Sequence, residues 1–313
     1  MLGVSLPGDA RRYCGHPVQS KASLSMSADQ TVTAIESPAR RRRRPHLPLA
    51  GIIGGSIVAF WVVMAIIGPY VAPHDVGALV DDDVFGQMSW AVPLGSDFLG
   101  RDVMSRILVG ARYTLGVAAV ATFFAVLMGG ALGMLAAVSR GAVDMALSRF
   151  FDALISVPSK MAALVVIAAL GSSIPVLIGT VALIFTSGAF RIWRSLAVNV
   201  STLDFVEVAR ARGEGTGYLI REEILPNIAG PVLTDFGLRF VFAVLILSSL
   251  SFLGLGVQPP DADWGSLVRE NVAGLADGAL AVVMPAVAIA TLTIGVNLLI
   301  DNLPGRWSSS GEH

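Results

Sequence analysis

The chain is short of the residues on which soluble chemistry is built. Only 14% of its 313 residues are charged, against roughly 25% in an ordinary soluble domain. Cys14 is the only cysteine, which excludes an internal disulfide and a cysteine-held metal site. His16, His46, His74 and His313 are scattered without metal-ligand spacing, so no metal site is expected. Lys21 and Lys160 are the only lysines, and neither stands in a Gly-x-x-x-x-Gly-Lys-Ser/Thr run. No His-Glu-x-x-His occurs either. Nothing here argues for an enzyme, and ATP cannot be gripped by a Walker A lysine of this chain.

What is present is apolar length. Hydrophobic residues make up 54% of the chain, and Leu47–Val71, Tyr113–Ser139, Met161–Phe190, Phe240–Pro260 and Gly278–Ile300 carry no charge at all. A helix crosses the hydrocarbon core with about 20 apolar residues. The pattern predicts an all-α polytopic membrane protein with six transmembrane helices, at roughly 47–71, 113–138, 153–170, 174–193, 238–257 and 279–300. Met161–Phe190 is too long for one span and too short for two. It is split at the turn cluster Gly171-Ser172-Ser173-Ile174-Pro175. The third span then runs back through Pro158, with Lys160 near a helix end, where its stem can snorkel.

Residues 1–46 are polar and rich in Ser and Arg, and are expected to be a disordered tail. They lack the pattern of a signal peptide. Arginines of the short connections set the orientation. One side holds Arg40–Arg44, Arg140, Arg149, Arg191, Arg194, Arg210, Arg212, Arg221 and Arg306; the other holds Arg101, Arg106, Arg112 and Arg269 beside many acids such as Asp75, Asp97, Asp102, Asp261 and Glu270. Both termini and the loop between the fourth and fifth spans are therefore expected in the cytoplasm. Arg40–Arg44 is read as a topology anchor beside lipid rather than a nucleic-acid patch.

That loop is the polar island of the chain. Glu207–Asn227 reads EVARARGEGTGYLIREEILPN. Asp204 is expected to cap a first helix, with Glu207 completing a capping box. Gly213 stands where a helix end favours a left-handed residue. A second short helix over Tyr218–Leu225 is expected to stop at Pro226. Ala209 and Gly213, both small and four apart, are expected to share a face that admits a close neighbour. The residues alone leave two readings open, a packed loop or a docking loop.

Glu207, Ala209, Gly213, Leu225 and Pro226 fall in a Glu-x-Ala-x-x-x-Gly … Leu-Pro pattern that resembles the coupling loop of ABC importer permeases. Val208, where a second alanine is usual, and Glu222-Glu223, where basic residues are common, depart from it. Pro93–Arg106 (PLGSDFLGRDVMSR) resembles the segment before the second span in the dipeptide/oligopeptide/nickel branch. Ser251–Pro260 (SFLGLGVQPP), followed by Trp264-Gly265, resembles the end of the fifth span in the second of that branch's two permease types. An acid that relatives often carry just before Ser-Phe-Leu-Gly is replaced by Ile246-Leu247-Ser248-Ser249.

The resemblance spans roughly residues 48–305. It implies a type I ABC importer permease (MetI-like) fold over 47–305, a coupling loop over 204–227, cytoplasmic tails at 1–46 and 306–313, and residence in a bacterial inner membrane. It implies partners: a second permease in a heterodimer, two cytoplasmic ATP-binding subunits that hold ATP and Mg, and an extracytoplasmic substrate-binding protein. No cofactor would be bound by this chain. Glu207, Ala209, Arg210, Gly213, Leu225 and Pro226 would couple to the ATPase. Gly254, Gly256, Gln258 and Trp264 are candidates for the outer face or the translocation path, and Trp264 is also read as an interfacial anchor. Di- or oligopeptides are the expected solute, with nickel or another small solute as alternatives. An ion-coupled secondary transporter would instead need inverted repeats and mid-membrane charge, of which the sequence gives no clear sign. A scaffolding membrane protein would need no glycine-hinged loop.

Three smaller features are read blandly. Asp235 and Arg239, one turn apart, are expected to neutralise each other. Asp81-Asp82-Asp83 lacks the spacing of a calcium loop. Ser248, Ser249, Thr291, Thr293 and Asn297 lie within spans, either lining a wet path or bonding to neighbouring helices.

Overall fold

The computed structural model describes residues 49–139 and 141–302; the tails, Arg40–Arg44, Arg140 and Arg306 lie outside them. Ten α-helices are described, with no strands among these residues: α1 Leu49–Val71, α2 Val103–Ser139, α3 Gly141–Ile155, α4 Ser159–Leu170, α5 Ile174–Ser201, α6 Asp204–Ala211, α7 Thr216–Tyr218, α8 Leu225–Phe252, α9 Trp264–Asn271 and α10 Leu280–Asp301. A π-helical stretch, Leu219–Ile224, joins α7 to α8.

Five helices are long and apolar enough to cross a membrane: Leu49–Val71, Val103–Ser139, Ile174–Ser201, Thr216–Phe252 and Leu280–Asp301. A sixth crossing requires α3 and α4 together, and these meet at 82°. The expected continuous helix over 153–170 is therefore corrected. Pro158 occupies the N-cap of α4 with an extended ψ of 123°. Proline lacks an N–H and disfavours helical backbone before it, so the chain turns at Ser156–Pro158 instead of running through.

The second helix also starts before its apolar run. Its 37 residues rise about 55 Å at 1.5 Å each, well past the roughly 30 Å of a hydrocarbon core. Asp102 begins it, accepting bonds from the Met104 and Ser105 amides at 3.1 and 3.2 Å and so serving donors that a helix start leaves unpaired.

The helices pack through small residues, as expected where lipid offers side chains no hydrophobic incentive to associate. A Cβ on Gly129 would lie 2.6 Å from Ala189 Cβ, and one on Gly133 2.7 Å from the Phe190 carbonyl oxygen. Bare backbone on α2 thus lets α5 seat against it. Gly54 of α1 and Gly295 of α10 meet in the same way, at 2.7 Å. The remainder of α1 is largely exposed, with only Gly51, Gly54 and Gly68 buried, as suits a helix facing lipid.

The polar residues within the helices are mostly satisfied locally. Ser249, Thr291 and Thr293 donate to the carbonyls of Leu245, Val287 and Ile289. Thr291 also accepts from Trp61 Nε1 at 3.1 Å, tying α10 to α1. Ser248 Oγ is buried without a partner among the described residues.

Candidate functional site

Two regions at opposite ends of α8 carry the motif residues: the loop before it and the rim after it.

At the loop end, α6 lies on the body of the protein. Its N-cap is Leu203, with no side-chain cap. Asp204 sits one residue too late to cap, so the expected Asp204–Glu207 capping box does not form. Both acids instead occupy the first turn, where they favour the positive end of the helix dipole. The C-terminus matches expectation. Gly213 has φ +84°, its amide bonds the Arg210 carbonyl at 3.0 Å, and the Glu214 amide reaches the Ala209 carbonyl at 3.2 Å. That is a Schellman ending, which only glycine enters without strain.

The faces of α6 are sorted sharply. Val206 and Ala209 are fully buried, in a cluster with Leu219, Ile224 and Ile228 and with Met134 and Val138 of α2. Ala209 is therefore small to let α6 sit on its own chain. It shares no close-contact face with Gly213, whose missing Cβ would meet nothing within 4 Å. The outward residues are Leu203, Phe205 and Val208, the last two 41% and 58% exposed, together with Glu207 and Arg212. In the sequence Phe205 and Val208 stand out only as apolar residues of a polar loop, and the outward face is decided by the burial of Val206 and Ala209. Arg210 turns partly inward, with Nη2 buried and unpartnered among the described residues.

The second half of the loop does not stop at Pro226. Thr216–Phe252 is one helical rod. The Leu225 amide bonds back to the Ile220 carbonyl, five residues away. This wide π turn runs directly into the first residues of α8, where Pro226 stands, so the widened backbone takes in a proline that donates no helical bond. Leu225 and Pro226 are exposed, whereas Ile224 and Ile228 are buried.

At the rim end, the motif residues turn inward. Arg106 is 3% exposed and donates through Nη1 to Asp97 Oδ2 at 2.6 Å and Glu270 Oε2 at 2.9 Å. Arg101 bonds the same two acids at 2.8 and 3.1 Å. Asn271 Oδ1 accepts the Phe98 amide. Pro93–Arg106 is thus an ion-paired clamp that ties the start of α2 to α9. Opposite signs at distant positions were visible in the sequence, but their pairing was not.

Trp264 corrects the interfacial-anchor reading. It is 0% exposed. Its Nε1 donates to the Ile107 carbonyl at 3.0 Å, its amide to Thr114 Oγ1 at 3.1 Å, and its ring meets Trp61 edge-on. Asp263 and Ser266 form the capping box of α9, and burial pushes the Asp263 carboxyl above its usual 3.8. Gly254 has φ +87°, and a side chain there would press on Arg269 Nη1 at 2.7 Å; a side chain on Gly256 would collide with Ser251. Gln258 is exposed, its amide donating to the Gly254 and Gly256 carbonyls at 3.1 and 2.9 Å. Of the four outer candidates only Gln258 presents itself outward; both glycines and Trp264 build the turn beneath it.

Stacked apolar helices closed by small-residue contacts define a multi-pass membrane protein. Residues 129–309 match the family model described as "Binding-protein-dependent transport system inner membrane component". The chain is 32% identical over 266 residues to the "Glutathione transport system permease protein GsiD" of Pectobacterium atrosepticum, covering 84% of this chain and 87% of that protein. It is 33% identical over 277 residues to the proteins of the same name from Shigella sonnei and Shigella boydii, covering 88% of this chain and 90% of theirs. The chain belongs to this family of ABC transporter inner-membrane permeases.

Proposed function

We propose that the chain is the second-type permease subunit of an ATP-driven importer for short peptides or peptide-like solutes. The observation that carries this is the sorting of α6: two buried residues seat it on the body while Phe205 and Val208 remain open beside Glu207 and Arg212. A short helix with an apolar stripe and a charged edge fits a groove on another protein. The chain has no Walker A sequence, so the groove belongs to a separate ATPase that holds ATP and Mg. Closure of two such subunits would push α6, and the continuous rod Thr216–Phe252 would carry the push across the membrane as rigid-body rocking.

This reading puts residues 204–227 and both termini in the cytoplasm and the Asp97–Glu270 clamp outside. Gln258 and its neighbours then face a substrate-binding protein. A second permease completes the pore, because six crossings in one chain give half of it. The solute class is supported by the relatives named for glutathione transport.

The test is reconstitution with the second permease, both ATPases and the binding protein. Phe205→Asp together with Val208→Asp is expected to abolish ATPase retention and uptake while the chain still inserts. Unchanged ATP-driven uptake would overturn the coupling role. Uptake by this chain alone on an ion gradient would overturn the importer reading.

A further inference from the structure

A cavity of about 740 Å³ lies between the α3–α4 elbow, α5 and α8, within the roughly 300–1,000 Å³ of small-ligand sites. Its wall is apolar through Leu154, Ile155, Val157, Leu183 and Ile184. Its charges are of one sign: Arg191 and Arg239 line it and no acid does.

Arg239 is held with care. Its side chain is 8% exposed. Nε donates to Asp235 Oδ2 at 2.7 Å and Nη1 to the Phe185 carbonyl at 3.1 Å. Nη2 has no protein partner among the described residues. Gly188 makes the arrangement possible, since a Cβ there would stand 2.9 Å from Nη1. The expected Asp235–Arg239 pairing is therefore present, but it leaves one edge of the guanidinium unused. Arg191 faces only Asp152, at 4.0 Å, with both side chains more than half exposed. Such a pair is worth little, which leaves its charge available.

We propose that this cavity is a subsite for the free carboxylate of the transported solute, with Arg191 and Nη2 of Arg239 as its donors. The inference rests on the peptide-importer reading and adds the group by which the permease itself holds the peptide. A planar fork suits a carboxylate better than a point charge does. Asp235 offsets the charge of Arg239 and the looser Asp152 stands 4.0 Å from Arg191, so the site attracts the solute weakly enough for it to leave again. The apolar wall takes side chains without choosing among them.

The experiment uses the complete transporter in proteoliposomes. Uptake of trialanine is compared with trialaninamide, and of glutathione with its diethyl ester, in which both carboxylates are blocked. Discrimination by the binding protein is common to wild type and variant, and it cancels in their ratio. Arg191→Gln should raise the KM for the free acids about tenfold, the loss of one charge-assisted contact, and that for the blocked forms less than twofold. Arg239→Lys, which keeps a cation beside Asp235, should act in the same direction with normal complex yield. An equal effect of Arg191→Gln on acid and blocked forms overturns the subsite while leaving the peptide reading intact. So does an effect that appears only in vesicles containing anionic lipid, since a lipid headgroup would then be the anion. Wild-type complex that moves none of the four probes overturns both readings.

Discussion

The two ends of α8 resemble each other as motifs and differ as structures. The rim places Asp97, Arg106, Asp263 and Trp264 almost entirely out of solvent, each bonded to other parts of the chain. The loop buries only Val206 and Ala209 of its first helix and leaves Phe205, Val208 and Leu225 open. A motif whose charged groups are paired internally is spent on the fold. One that turns a seated helix outward keeps a face in reserve. Damage at the rim should therefore show as instability, and damage at the loop as lost activity in a stable chain.

The largest effect should come from the clamp. Asp97→Ala leaves the buried Arg106 and its neighbour Arg101 with Glu270 as their only acid, a loss of about 3–5 kcal/mol for a broken buried pair. Thermal unfolding in detergent should show it, and a wild-type melting temperature would mean that the rim is not an internal clamp. Trp264→Ala removes the largest fully buried side chain among the described residues and the indole hydrogen bond to Ile107 at an expected cost of about 3–5 kcal/mol, with Trp264→Phe milder. A residue serving only as an interfacial anchor would tolerate both. Gly213→Val places a β-branched residue at φ +84° and strains the loop by about 1–2 kcal/mol. Here uptake should fall far more than the melting temperature does; the reverse would place the loop with the rim.

The smallest effect is one of pH. Asp263 has its folded pKa raised by burial, so the folded state favours the protonated acid. Its contribution is fully present below the ordinary value of 3.8 and is lost as pH rises through the folded value. Asp263→Asn keeps an N-cap side chain and should flatten that part of the stability–pH profile. An unchanged profile would show that the carboxyl is not the group that titrates.

The reading from residues alone reached furthest where one local rule acted. Uncharged runs became helices because the rise per residue and the bilayer thickness set a length. Gly213 became a helix end because only glycine enters φ +84° cheaply. The same reading failed where two rules competed. At Pro158 apolar length favours a continuous span, and the chain bends by 82°. At Pro226 the missing N–H favours a stop, and a π turn absorbs it. Asp204 has the chemistry of a cap, and the helix begins one residue earlier and leaves it in the first turn.

By itself the sequence determined that the chain is a set of apolar helices, that it has no ATP-binding lysine loop of its own, and that a polar island interrupts it before α8. These follow from composition and spacing, which need no knowledge of what lies beside what. Only the tertiary structure decided which motif residues face inward. It paired Asp97 with Arg106, took Trp264 from the surface to the core, split α6 into a seated and an open face, and set Arg239 in the wall of a cavity. The physical reason is that burial and pairing depend on residues far apart in the chain, and a one-dimensional pattern carries no distance between them.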